Sequence, residues 1–299
     1  MFDGAAFAAN FDGRRIFNFG DGGVGTWGMF GWCATINDGI AGDCNGLTTN
    51  AVRYDSPMFG GFSVSATWGE DDQWDVAARY AGEWNGIKLA AAVGYTETTD
   101  ENLAINDTTQ ALEFGFVVQE KDVSYFQAGL YAEHVPTGIF GYAAYGKENN
   151  DSVYRECLSH FPDPCTKGGD GFSGTDQETL YFKAGLRERW SALGHTVLYG
   201  EYSWTDDGIF PLLVSREDIS VAPVGITDAQ LTRWGFGVVQ EIDAAAMSIW
   251  LAYRRHEAEV TCSILDGGEQ CDNADEFGAR GEHDLDAVDI IKFGSLINF

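Results

Sequence analysis

The stretch NAVRYDSPMFGGFSVSATWGEDD (residues 50–72) decides the fold, because it holds two short alternating segments joined by a turn that contains Pro and Gly. In the first segment Val52 and Tyr54 share one face, while Arg53 and Asp55 share the other. The second segment, FSVSATW, alternates apolar residues with Ser and Thr. We therefore expect a β-hairpin with one apolar and one polar face, which suits a soluble β-sandwich and a membrane β-barrel equally well.

The composition favours many short strands over helices. Of the 299 residues 44% are apolar and 14% aromatic, with 38 Gly and only 6 Pro. No window of about 18 residues is apolar and free of charge, which excludes a transmembrane helix. A transmembrane strand needs only about 9–11 alternating residues, so a mean hydropathy of −0.18 leaves a barrel open.

The charge balance is strongly acidic. The formal net charge of −28 argues against nucleic acid as a partner, because a phosphate backbone would be repelled rather than neutralised. The same charge is compatible with a surface that attracts cations.

Alternation along the rest of the chain predicts nine further strands, which makes eleven in all. They cover residues 74–84, 87–97, 125–135, 139–148, 179–190, 195–207, 230–243, 244–260 and 285–299. Residues 111–119 also alternate, but their neighbours favour a segment inside a loop. Residues 1–49 contain Gly and Asp clusters with little alternation, so we expect one long irregular loop there.

The predicted connections alternate between tight turns and long polar loops. Tight turns fall at 57–60, 85–86, 136–138, 191–194 and 243–245, and longer polar stretches at 69–73, 98–122, 149–177, 208–228 and 261–284. An outer-membrane barrel has this asymmetry, with short turns at one end and long loops at the other. Tryptophans also collect near strand ends, as in the aromatic belts of such barrels, although a soluble core could hold them too.

Six cysteines form three close pairs inside polar loops: Cys33 with Cys44, Cys157 with Cys165, and Cys262 with Cys271. We expect local disulfides formed in an oxidising compartment. Metal binding is the alternative, but no pair has CxxC spacing and the five histidines are scattered. Acidic loops such as GEDDQWD fit no EF-hand pattern. We therefore expect neither a metal site nor a cofactor.

Several of these segments together resemble the general porins of Gram-negative bacteria, especially those of alphaproteobacteria. The segments are NAVRYDSPMFGGFSVSATWGEDDQWDVAARY, HVPTGIFGYAAYGKE and the terminal KFGSLINF, which ends at Phe299. The resemblance implies an antiparallel transmembrane β-barrel of sixteen strands, usually a homotrimer, in the bacterial outer membrane. It also implies passage of small hydrophilic solutes, contact with outer-membrane lipid and lipopolysaccharide, and recognition of the C-terminal strand by the barrel-assembly machinery.

The resemblance also implies a role for residues 1–49. In the family, a long loop that folds into the lumen and narrows the pore precedes the RYDSP strand, and residues 1–49 occupy that place. About five strands that the family would place earlier are missing. An odd count of eleven cannot close a barrel of this kind, and an open edge in hydrocarbon leaves backbone groups unsatisfied. We therefore expect the chain to be a C-terminal portion of a longer porin.

If the apolar faces contact lipid, the opposite parity places a charged set along the lumen. These residues are Arg53, Asp55, Asp75, Arg79, Lys88, Lys183, Arg187, Arg189, Glu201, Arg233, Glu241 and Arg254. Asp12, Asp21 and Asp38 of the expected constriction loop could face them and create a transverse field. The alternative is that Arg53 and Arg79 only pair with neighbouring carboxylates to satisfy a polar interior.

Three other functions remain open at this point. A membrane-embedded hydrolase would need a nucleophile beside a positioned His, and neither His195 nor His256 has an evident Ser partner. A structural or adhesive barrel would have a plugged lumen. A solute-specific channel would carry a saturable site, for which Tyr181, Tyr199 and Trp250 have the right parity.

Overall fold

A computed structural model describes eleven segments of the chain. They are residues 15–19, 23–26, 50–69, 72–100, 116–151, 153–156, 172–173, 176–206, 224–264, 281–284 and 287–297. No helix within these segments is both long and apolar enough to cross a membrane.

Sixteen strands make up the described structure. They are β1 (Arg15–Phe19), β2 (Gly23–Thr26), β3 (Ala51–Asp55), β4 (Phe62–Gly69), β5 (Trp74–Trp84), β6 (Ile87–Asp100), β7 (Phe116–His134), β8 (Ile139–Asn150), β9 (Val153–Glu156), β10 (Phe172–Ser173), β11 (Gln177–Ser191), β12 (Gly194–Asp206), β13 (Val224–Ile242), β14 (Met247–Ile264), β15 (Gly281–Asp284) and β16 (Val288–Ile297).

Eleven strands form one antiparallel sheet, in the order β3-β4-β5-β6-β7-β8-β11-β12-β13-β14-β16, which confirms the predicted all-β class and strand count. β15 continues the β16 edge by pairing with the far end of β14. Strands that follow one another among these eleven are neighbours in the sheet, as in a series of hairpins. Among the described strands β3 and β16 do not pair with each other, so the sheet is open.

The short turns use the chemistry that the sequence predicts. In the two-residue turn between β5 and β6, Asn85 has φ 50° and Gly86 φ 77°, the left-handed pair typical of a type I′ hairpin turn. Short connections also join β3 to β4, β7 to β8, β11 to β12 and β13 to β14. The predicted longer stretch at 69–73 is in fact short, because the Gly69 N–H donates to Gln73 O at 2.7 Å and brings β4 directly to β5.

Some strand boundaries differ from those predicted. β7 begins at Phe116 rather than 125, because its first residues pair with β9 in a region expected to be loop. Within residues 1–49, expected to be irregular throughout, β1 and β2 pair as a short hairpin; the rest of that segment lies outside the described residues. Cys262, expected in a loop, lies on β14 opposite Ile226, and the other five cysteines lie outside the described residues.

The two faces of the sheet have opposite characters, and the more buried one is the polar one. We call the face that carries Arg53, Lys183 and Arg254 the polar face, and the other the apolar face. Apart from Gly194, every buried strand residue in the described sheet lies on the polar face, including Glu133, Glu148, Thr205, Arg254 and His256. The exposed large apolar residues lie almost entirely on the apolar face, with Trp84 and Phe293 each 78% exposed.

Candidate functional site: the polar face of the sheet

Glu201 is the centre of a charged cluster on the polar face. It lies on β12, where Tyr181 of the neighbouring β11 donates its hydroxyl to Oε2 at 2.7 Å. From the other side Arg254 of β14 donates Nε to Oε1 and Nη2 to Oε2, the latter at 3.2 Å. Lys183 Nζ lies 3.9 Å from Glu201 Oε2 and also 3.9 Å from the centre of the Tyr199 ring. One carboxylate therefore holds two cations in place.

Arg233 extends this basic region along β13. Its Nε donates to Ser203 Oγ at 2.8 Å, and it lies opposite His256 on β14. Together Lys183, Arg233 and Arg254 outnumber Glu201, so this part of the polar face carries an excess of positive charge.

A second cluster surrounds Arg187 nearer the short turns. Arg187 makes a two-pronged contact with Glu241, at 3.0 Å through Nε and 2.7 Å through Nη2. Its Nη1 lies 3.8 Å from Glu133 Oε1, and Glu133 accepts the Tyr131 hydroxyl at 2.8 Å. This arrangement links β7, β11 and β13 across two intervening strands. Here two carboxylates surround one guanidinium, so this part of the polar face carries an excess of negative charge.

A third group lies at the β3 edge. Arg53 donates to both oxygens of Asp55 at 2.9–3.1 Å, and the two side chains are more than half exposed. Arg79 donates to Ser65 Oγ at 2.9 Å rather than to a carboxylate. Asp75 shares the face, because Thr67 lies opposite both Arg53 and Asp75.

Glycines on the polar face make room for the larger side chains beside them. A Cβ at Gly237 would lie 2.6 Å from the Tyr199 ring, and one at Gly185 would lie 2.8 Å from the Phe140 ring. The rings therefore lie flat over neighbouring strands instead of projecting from the face. The rings thereby cover strand backbone that glycine, which has no side chain, would leave exposed.

The predicted charged residues thus separate into three groups. Lys183 and Arg233 join the Glu201 cluster, Arg187 belongs to the second, and Arg53, Asp55, Asp75 and Arg79 share the β3 edge. Asp12, Asp21 and Asp38 lie outside the described residues, as does Phe299. Sequence reasoning missed Tyr131 and Glu133, although their parity with buried Tyr125 on the same strand was an available signal.

On the apolar face a row of mostly aromatic residues runs across the sheet near the long connections. We call this row, with the polar residues just beyond it, the margin. In this margin most strands carry an aromatic residue and, two residues further on, a polar or charged one. The aromatic residues are Trp74, Tyr95, Phe126, Tyr145, Trp204, Trp234 and Tyr253, with Leu180 on β11. The polar residues beyond them are Glu97, Ser124, Lys147, Glu178, Asp206, Thr232 and Arg255.

This margin is staggered in one direction across the sheet. Trp74 lies opposite Glu97, Phe126 opposite Lys147, Trp204 opposite Thr232 and Trp234 opposite Arg255, and each of these steps moves the row by two residues in the same direction. In the other three steps Tyr95 lies opposite Phe126, and Leu180 lies opposite both Tyr145 and Trp204, without a shift. From β5 to β14 the aromatic position moves by eight residues over seven strand steps, or about 1.1 residues per strand. With a rise of about 3.3 Å per residue and about 4.8 Å between strands, the strands are tilted by roughly 38° to the normal of this margin.

Similarity to known proteins does not identify the function of this sheet. No protein-family model matches the chain, and no curated protein is significantly similar to it.

Proposed function

We propose that this chain forms the wall of an outer-membrane porin, a water-filled β-barrel through which small hydrophilic solutes and ions diffuse passively. The observation that carries the proposal is the inversion of the sheet: its polar face is the more buried one, and its large apolar side chains are exposed. In a soluble protein the apolar face of a sheet must pack on another layer. A barrel wall has the opposite requirement, with apolar residues toward lipid and polar residues toward the lumen.

The margin of the apolar face supports the same proposal. Transmembrane barrels have strands tilted by about 35–45° and an apolar band about 25 Å tall between two aromatic girdles. The tilt of roughly 38° derived from the stagger lies within that range. On the apolar face of β5 the band is bounded by Trp74 and Trp84, eleven residues that at this tilt span about 26 Å.

The polar face supports a function in passive transport rather than in catalysis. Its charges are held in pairs and clusters that leave local positive and negative regions along a fixed wall, such as the basic region around Glu201 and the acidic cluster around Arg187. Fixed charges of this kind discriminate solutes by charge and dipole as they pass. We propose no cofactor and no catalytic step.

Closure of the wall is part of the proposal. The free edges at β3 and β16 must find partners, because unpaired strand edges cost several kcal/mol per group in hydrocarbon. Following the resemblance, we propose a barrel of sixteen strands in a homotrimer, in contact with outer-membrane lipid and lipopolysaccharide, in the bacterial outer membrane.

The test is single-channel recording of the complete gene product, refolded in detergent and inserted into a planar bilayer. We compare the wild type with Arg79→Ala, which removes a cation from the polar face, and with Arg255→Ala, a matched control on the apolar face. Ohmic conductance, with a reversal potential that changes only in Arg79→Ala, is the expected result. Insertion without conductance would instead support a plugged structural barrel.

A solute-specific channel is the second candidate, favoured by aromatic rings on the polar face. The Tyr142 and Tyr181 rings meet edge to face at 5.9 Å, and Lys183 lies over the Tyr199 ring. Aromatic surfaces beside a cation can bind a planar or sugar-like solute. Solute-dependent block of the current that saturates in the wild type and is lost in Tyr142→Ala would favour this candidate.

A further inference from the structure

We propose that His195, Glu241 and Asp243 form a binding site for a transition-metal dication of the Zn²⁺, Ni²⁺ or Cu²⁺ class, at the short-turn end of the sheet. One ligand atom from each of the three lies within 4.8 Å of the others. An imidazole with two carboxylates suits these metals, whereas Mg²⁺ and Ca²⁺ prefer oxygen ligands alone. The scattered histidines gave no such signal in the sequence, because the three residues meet only through strand pairing.

Contacts between the strands and between the turns fix these three residues in place. Thr196 lies opposite Gln240 and donates to its side-chain oxygen at 2.7 Å, which sets the register of the adjoining His195 and Glu241. The Asp243 N–H donates to Leu193 O at 2.9 Å and ties the β13–β14 turn to the β11–β12 turn.

The place of the Asp243 carboxylate depends on a glycine. A Cβ at Gly194 would approach Asp243 Oδ1 to 2.8 Å, so only glycine leaves room for the carboxylate in its present position. The carboxylate is therefore held close to the first residues of β12.

A cation already lies at the centre of this cluster. The guanidinium of Arg187 places Nη2 2.7 Å from Glu241 Oε2 and 3.3 Å from His195 Nδ1. Guanidinium nitrogens only donate, so His195 Nδ1 accepts this contact in the tautomer that carries its proton on Nε2; Glu241 Oε2 lies 3.4 Å from the same nitrogen. The imidazole and the carboxylate are thus oriented as they would be around a metal ion.

A metal ion must displace one arginine from each carboxylate. The Arg189–Asp243 pair is 50–52% exposed and is therefore screened by solvent, whereas the two-pronged Arg187–Glu241 pair is 27–30% exposed and is the stronger of the two. Arg187 keeps a second carboxylate, Glu133, at 3.8 Å when Glu241 is taken by a metal. We therefore expect a dication that binds the imidazole and both carboxylates to displace the two guanidinium groups.

The test measures metal binding directly and needs no conductance, so it is independent of the proposed pore. The full chain is folded in detergent and titrated with Zn²⁺ by calorimetry and with Cu²⁺ by electron paramagnetic resonance. The variants are His195→Ala, Asp243→Asn and the control His134→Ala, whose exposed imidazole lies 2.7 Å from Thr137 Oγ1 in a different turn. Circular dichroism checks that each variant is folded.

We expect His195→Ala to remove the nitrogen hyperfine coupling of bound Cu²⁺ and to weaken Zn²⁺ binding by at least about tenfold. Asp243→Asn should weaken Zn²⁺ binding while retaining the coupling, and His134→Ala should match the wild type. Undiminished binding in folded His195→Ala, or displacement of Zn²⁺ by equimolar Mg²⁺, would overturn the proposal.

Discussion

Glu201 and Arg254 form an ion pair across an intervening strand, and Gly235 lies opposite both of them. A Cβ at Gly235 would lie 2.9 Å from Arg254 Cγ and would also press on the backbone oxygen of Tyr253. The pair therefore exists only because β13 offers no side chain at that position. A single glycine sets the geometry of the basic region on the polar face.

Gly235→Ala should destabilise the protein by about 1–3 kcal/mol, because the added methyl group overpacks the space beneath Arg254. The measurement is urea unfolding of the protein folded in lipid vesicles. Gly200→Ala is the matched control: it lies on the apolar face of the adjacent strand, with the nearest atom to its Cβ at 3.8 Å. Equal losses of stability in the two variants would contradict the role given to Gly235.

Glu201→Gln should shift ion selectivity toward anions, because it removes the one carboxylate among Lys183, Arg233 and Arg254. The reversal potential under a salt gradient measures this shift. Loss of one partner from a buried pair should also cost about 3 kcal/mol of stability, since the Arg254 guanidinium is left without its counter-charge.

The control for selectivity is Glu257→Gln on the apolar face. Glu257 pairs with Arg255 at 2.8 Å and does not face the other cluster. Its neutralisation should leave the reversal potential unchanged. A shift of similar size in both variants would mean that overall charge, rather than the polar face, sets selectivity.

Gly86→Ala should destabilise the β5–β6 hairpin by about 1–2 kcal/mol, because Gly86 holds a left-handed φ of 77° that an L-residue adopts only with strain. Thermal or urea unfolding measures the loss. Gly141→Ala is the control, since its Cβ would meet nothing within 4 Å. A loss in Gly141→Ala as large as that in Gly86→Ala would argue against backbone strain as the cause.

The sequence predicted the strands and their faces well because alternation is a local property. Once Arg53 and Asp55 have one parity, the pleat alone places them on the same side, and the Asn85–Gly86 pair alone specifies a tight turn. Both predictions needed no knowledge of distant residues. The same local rule placed His195, His256, Tyr181, Tyr199 and Trp250 on the polar face.

Contacts between distant strands could not be predicted in this way. The Glu201–Arg254 pair spans 53 residues, and it depends on the register of two hairpins and on the absence of a side chain at Gly235. The contact of Arg187 with Glu133 likewise crosses β8, and the site at His195 exists only through its pairing with β13. The extension of β7 back to Phe116 depended on β9, whose four residues are too few to predict.

The apolar face provides the sharpest test of membrane insertion. Val93 lies near the middle of the apolar band on β6 and is 42% exposed, whereas Thr99 lies on the same strand and face beyond the polar margin at Glu97. In a barrel, an arginine facing the middle of the bilayer costs about 2–4 kcal/mol, and one near the interface about 0–1 kcal/mol. On a soluble protein, exposed substitutions usually change stability by less than about 0.5 kcal/mol.

We therefore expect Val93→Arg to lower the free energy of unfolding in lipid vesicles by about 2–4 kcal/mol, and Thr99→Arg by less than about 1 kcal/mol. The two substitutions replace β-branched residues on the same strand with the same side chain, and they differ in expected depth in the membrane. The added charge and the change in β-propensity therefore largely cancel in the comparison. If both variants unfold as the wild type does, the face that carries Val93 does not contact hydrocarbon, and the barrel proposal fails. A gradient between them would tie the stagger of the aromatic margin to the plane of a membrane.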